Sequence, residues 1–349
     1  MRSATARMLS LTFCVVLCFA MNAGSSTAQA RAEGKNTQTI FQFHSGFWIN
    51  LHHFLYWQAL AAAPQKGPHR LALNSADAEE LKLLSAGETA SWDTAVAYYQ
   101  GSLIQHDLLF DQGMEAVKNQ LEDSEASPDL RGVHVPGELK EVLLKAALIY
   151  RKHWWPKQDA QNRQWITQLQ PLIEEHGEAM RNSLTKIYEA SWPRQPVRVD
   201  AVAYANWAGA YTTLEPTRST ISTADPANQG AAALEIVFHE SSHGMMNEVM
   251  NAINSAEKAV NARSTNGAFH FRRDLWHEVL FYTSGELVAE RIAGYVPFAD
   301  KNGLWTRAWP GPDRALIERD WKPHMNGTVG LQQSLTTLVN DLVPVLQHK

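Results

Sequence analysis

The stretch Leu234–Met246, LEIVFHESSHGMM, carries two histidines four positions apart with a glutamate between them, inside an otherwise apolar and small-residue run. An apolar run of this kind, preceded by Asp225-Pro226, predicts a buried helix that begins near Asn228 to Ala231. On such a helix four residues rise about 6 Å and complete slightly more than one turn, so His239 and His243 share a face. Glu240 is rotated about 100° from His239 and stands beside that face.

Two imidazoles at this spacing can both reach one Zn²⁺ at roughly 2.0–2.1 Å. A glutamate next to them can take a proton from a metal-bound water, and the hydroxide formed attacks a carbonyl. That chemistry is why H-E-x-x-H on a helix is a metalloprotease signature, with Glu240 as general base. Ser241 and Ser242 are small enough to keep the helix surface open, and Gly244 allows close approach or a bend after the second ligand. The plainer alternative is a pair of core histidines with a surface glutamate.

A catalytic zinc takes three protein ligands and keeps one position for water. No histidine follows His243 until His270, so the third ligand must come from elsewhere. His277, Glu278 and Glu286 lie in one segment, DLWHEVLFYTSGELVAERIAG, which reads as a helix ended by Gly294 and Pro297. A carboxylate at Glu286, among apolar and small residues, needs a cation or hydrogen-bond partners. Ser284 and Gly285 would let that helix approach the metal helix. Glu290, one turn later, could orient a ligand histidine through its other ring nitrogen. His277 sits between large apolar residues and could be the ligand or a donor to the oxyanion formed in hydrolysis. Nine residues turn a continuous helix by about 900°, so His277 and Glu286 face opposite ways and cannot both hold one metal unless the helix breaks near Gly285. Tyr282 is a candidate oxyanion donor, with aromatic packing as its alternative role.

His239-Glu240-x-x-His243 followed by Glu286-x-x-Ala289-Glu290 resembles the gluzincin, thermolysin-like metallopeptidases, over roughly residues 197–295. The resemblance implies a zincin-like catalytic lobe, one Zn²⁺ held by His239, His243 and Glu286, support from Glu290, and a peptide or amide substrate.

The remaining sequence sets this lobe in an α+β, mainly helical chain. MRSATARMLSLTFCVVLCFAMNAGSSTAQA has a basic front, an apolar run from Met8 to Met21, and Ala28-Gln29-Ala30 as a small-residue cleavage site. It reads as a signal peptide over residues 1–30, which implies export to the periplasm or beyond. Cys14 and Cys18 both fall inside it, so the mature chain has no disulfide and relies on its core, a metal, or both. Cleavage removes Arg2, Arg7 and no acid, taking the formal charge from -5 to -7. A mildly acidic chain without a basic run argues against nucleic acid or anionic membrane as partner, and no other stretch is long and apolar enough to span a bilayer. Oligomeric state leaves no sequence signal.

Residues 31–195 read as a helical N-terminal lobe and residues 196–349 as the catalytic lobe with C-terminal helices. FQFHSGFWINLHHFLYWQAL predicts a buried helix, and residues 76–190 are almost wholly helical in pattern, with Pro156 ending one helix region. VRVDAVAYANWAGAYTTLEPTRSTIS, from Val197, has strand and turn chemistry, and an edge strand just before the metal helix could bind an extended peptide. Residues 251–274 are mixed, LWTRAWPGPDRAL is loop-like, and a last helix runs from Leu331. His44, His52 and His53 could line a cleft or hold a second metal, but packing and surface roles suit their spacing better. Arg218 reads as a surface residue and Asp225 as a turn or cap residue. Together these features predict an exported zinc metallohydrolase, foremost a peptidase. A zinc amidase of small-molecule or cell-wall links, and a non-catalytic helical binding protein with a structural metal, are the alternatives.

Overall fold

Four short strands organise the molecule in a computed structural model that describes residues 39–63, 72–194, 196–265 and 267–346. The expected signal peptide lies outside the described residues. Strands β1 (Phe41–His44), β2 (Val197–Val202), β3 (Ala210–Leu214) and β4 (Thr217–Ser222) form one mixed sheet in the order β1-β2-β4-β3. β2 runs parallel to both β1 and β4, and β3 pairs antiparallel with β4 as an edge strand.

Thirteen α-helices surround the sheet among the described residues. Six precede β2: α1 (Phe47–Ala62), α2 (Ser75–Leu81), α3 (Ala86–Ser102), α4 (Gln112–Asp123), α5 (Gly137–His153) and α6 (Trp155–Ile187). Seven follow β4: α7 (Ala231–Ser242), α8 (Asn247–Arg263), α9 (Leu275–Ala289), α10 (Phe298–Lys301), α11 (Leu304–Arg307), α12 (Asp313–Met325) and α13 (Leu331–Leu346). The mainly helical α+β reading therefore holds.

Alternation along the strands divides the interior in two. Phe41, Val197, Val199, Ala201 and Ile221 join a core built from α6, α7, α8, α9, α12 and α13. A second core gathers α1, α3, α4 and α5 with Val202 to Ala205 and Tyr211. Trp48, Trp92, Trp154 and Trp321 are among the largest fully buried side chains. Each such ring removes on the order of 150–250 Å² from water. The two cores meet at the sheet, not at residue 195. β1 lies before that boundary yet pairs with β2 beyond it, and α6 packs under α7.

Several elements differ from expectation. Phe41–His44 is a strand and not the start of a helix, because its partner Val197–Asp200 is remote in sequence and invisible to local periodicity. Pro156 stands in the first turn of α6, where a missing N–H costs nothing, so it opens a helix instead of ending one. The mixed stretch after residue 251 belongs largely to α8, and α12 begins directly after Pro312.

Candidate metal centre

Helix α7 is buried from Ala232 to Ser242, which explains why its sequence is apolar nearly all round. It packs against β3 and β4 on one side and α9 on another. Helix α9 is likewise buried from Val279 to Gly285. The seam between them is tight. The Phe281 ring lies on the His239 ring with centroids 3.8 Å apart. A Cβ added to Gly285 would stand 2.6 Å from Pro297 and 3.3 Å from Glu235 Oε1, so only glycine fits there.

This packing brings His277 to the histidine pair. His239 Nε2 lies 3.1 Å from His277 Nε2 and 3.2 Å from His243 Nε2. All three residues can place a ligand nitrogen within 4.8 Å of the others. Ligands at 2.0–2.1 Å from a tetrahedral ion stand about 3.3–3.4 Å from one another, so the observed spacing is that of a coordination shell to within a few tenths of an ångström. Burial holds the rings neutral, as metal ligation requires. It lowers His243 to about 3, with the neighbouring His277 adding to the effect. It lowers His277 to about 4 against the opposing charge of Asp274. His239 falls well below the usual range, first by burial and then through His243 and His277.

Glu240 stands beside this cluster, only 5 % exposed. Its Oε2 lies 3.8 Å from His243 Nε2 and accepts a hydrogen bond from Thr212 Oγ1 at 2.8 Å. Burial pushes its carboxyl up to about 7, against the Thr212 hydrogen bond. A carboxyl poised there can exchange a proton near neutrality, which suits a general base. Aromatic rings wall the site. Trp276 meets His243 and His277 at centroid distances of 5.6 and 5.1 Å, and Trp309 meets His277 edge-on at 5.9 Å. Trp309 donates through Nε1 to Asp274 Oδ2 at 2.8 Å, which fixes that ring.

The structure thus unites His239, Glu240, His243 and His277 and leaves the other candidates apart. Glu286, expected as third ligand, is held by Lys322 Nζ at 2.6 Å, with Arg314 at 4.0 Å. Helix α9 is continuous through Gly285, so Glu286 faces away from His277 and answers its need for a cation with lysine and arginine. Glu278 is buried on a different side of α9, where Arg272 binds it and also Asp313. Burial pushes Glu278 up to about 9 although Arg272 opposes this. Glu290 is half-exposed with Arg291 at 3.8 Å and orients no ligand histidine. Tyr282, considered for the oxyanion, lies five residues past His277, near Arg314 and the charge of Glu286. Its hydroxyl is buried without a partner.

The upstream histidines are absorbed by other contacts. His52 Nδ1 pairs with Tyr99 Oη, His53 Nε2 with Tyr211 Oη, and His44 Nδ1 with Glu125. Arg218 is not a free surface residue, since it binds Asp123 and Glu122. Asp225 caps a short 3-10 turn through Ala227 N. Thr212, Asp274, Trp276, Phe281 and Trp309 are the site residues that sequence reasoning missed. Phe281 alone left a signal, standing one turn after His277. No family model, curated protein or solved structure matches the chain.

Proposed function

We propose that the chain is a zincin-like hydrolase that holds one Zn²⁺ with His239, His243 and His277 and cleaves peptide or amide bonds, with Glu240 as general base. One observation carries this reading: three neutral imidazole nitrogens converge at ligand spacing while a carboxylate oxygen stands 3.8 Å from one of them. A zinc ion at that point supplies an acidified water and a Lewis acid for the carbonyl. Glu240 accepts the water's proton at Oε2 and returns it to the departing nitrogen. The signal-like N-terminal sequence supports action outside the cytoplasm.

Elemental analysis and a panel of peptide and non-peptide amides test the proposal. Purified protein should hold one zinc per chain and hydrolyse peptides. Glu240→Gln should keep the zinc and lose turnover. Zinc-free protein after loading, or full activity in that variant, refutes it.

A further inference from the structure

Thr212 Oγ1 faces three polar atoms at once. It lies 2.8 Å from Glu240 Oε2, 2.9 Å from the Glu240 backbone carbonyl, and 3.2 Å from Ser219 Oγ. A threonine hydroxyl has one proton to donate and two lone pairs with which to accept. It therefore cannot donate to both Glu240 oxygens together, and the arrangement has two ways to satisfy every group.

We infer that Thr212 is a positioning residue that holds the Glu240 side chain in one place before and after proton transfer; this rests on reading Glu240 as the general base. With Glu240 as a carboxylate, the Thr212 proton goes to Oε2 and Ser219 donates to Thr212. Once Oε2 has gained a proton from the attacking water, it donates to Thr212, whose own proton turns to the Glu240 carbonyl. The proton leaves Oε2 on the departing nitrogen and the first arrangement returns. No heavy atom needs to move, and that preorganisation favours turnover.

The strand supports this role from its other face. Residues on either side of Thr212 point the opposite way, as strand alternation requires. Tyr211 Oη bonds to His53 Nε2 at 2.8 Å, and Thr213 Oγ1 accepts from Lys118 Nζ at 3.0 Å. Lys118 is fully buried and paired with Glu122, itself fully buried, at 2.8 Å. An edge strand lacks a second neighbour to fix it. Here the buried polar contacts of residues 211 and 213 do that work from α1 and α4, and set where the Thr212 hydroxyl stands.

The test compares Thr212→Val, Thr212→Ala and Thr212→Ser. In Thr212→Val, or in Thr212→Ala should the valine variant fail to fold, one zinc per chain should remain. Its kcat should fall about ten- to a hundredfold with KM changed less than about threefold, the loss of a hydrogen bond to a charged group. A crystal structure of that variant should show the Glu240 side chain in more than one rotamer. Thr212→Ser should restore both kcat and the single rotamer. A variant without the hydroxyl that keeps kcat and the original Glu240 rotamer overturns the inference, as does loss of zinc from all three variants. Failure of the hydrolase reading is recognised separately, in the wild-type protein, by absent zinc or turnover. In either case the rotamer comparison decides whether Thr212 holds the Glu240 side chain in place.

Discussion

His239 Nε2 and His277 Nε2 lie 3.1 Å apart although they sit on different helices, and Phe281 packs between the same two turns. The third imidazole is therefore delivered by helix packing, one turn of α9 ahead of the contact that seats His239. His277→Ala should cut zinc affinity by at least about a hundredfold, more than the loss of an outer partner costs. Glu286→Gln should leave zinc stoichiometry unchanged and cost about 1–2 kcal/mol of stability, since its ion pair with Lys322 is part-buried and the amide can still accept a hydrogen bond. Chelator competition on both variants measures this. The reverse pattern would restore Glu286 as ligand.

Burial of Glu235 gives a stability that depends on pH. Its Oε2 accepts from Tyr295 Oη at 2.7 Å and Phe298 N at 2.9 Å, while Oε1 has no partner. Burial pushes the carboxyl from 4.5 up to about 7 despite those hydrogen bonds. Between these values the folded state binds a proton that the unfolded chain has released. The contribution is thus whole below about pH 4.5 and is lost as pH rises towards 7, amounting to roughly 3 kcal/mol. Glu235→Gln cannot ionise. Relative to wild type, its stability in urea should rise by about that amount from pH 4 to pH 8. A difference that stays flat with pH would show that Glu235 ionises normally.

The sequence displayed helix α7 with its histidine pair well and its surroundings poorly, for physical reasons. His239, Glu240 and His243 are read from one helix because a 3.6-residue period fixes their relation locally. The opposition of His277 and Glu286 across α9 was legible in the same way. Which of the two faces the pair was not, because that depends on how α9 lies against α7, where Gly285, Phe281 and Pro297 decide the fit. Strand β1 was hidden because four residues carry too little pattern and its partner is remote. Trp309 reaches His277 from beyond α11, through a loop with no periodic signal at all.

Gly285 sets the distance between the two helices that carry the histidine cluster. A methyl group there meets Pro297 at 2.6 Å and Glu235 Oε1 at 3.3 Å, both held by the Glu235 to Phe298 contact. Gly285→Ala gains some helix propensity, but the clash prevails and should destabilise the fold by about 1–3 kcal/mol. Pushing α9 outward also parts His277 from His239, so zinc affinity should fall with stability. Thermal melts with and without zinc measure both. Unchanged affinity in a folded variant would show that another contact fixes the helix spacing.

The Lys118 and Glu122 pair offers a test of what holds the sheet to the helices beneath it. Both side chains are fully buried, at 2.8 Å, and Glu122 also lies near Asp200, which helps raise its carboxyl after burial itself. Lys118→Met leaves a buried carboxylate without its nearest cation and should cost about 3–5 kcal/mol. Adding Glu122→Leu removes that uncompensated charge and its repulsion with Asp200. Arg218 keeps Asp123, and Asp200 keeps Arg198 at 2.7 Å. The double variant should therefore be more stable than Lys118→Met alone, with a coupling on the order of 1–3 kcal/mol in a double-mutant cycle. Chemical denaturation of the four proteins measures it. Additive losses would mean that the two charges act separately and that Arg218, not Lys118, balances Glu122.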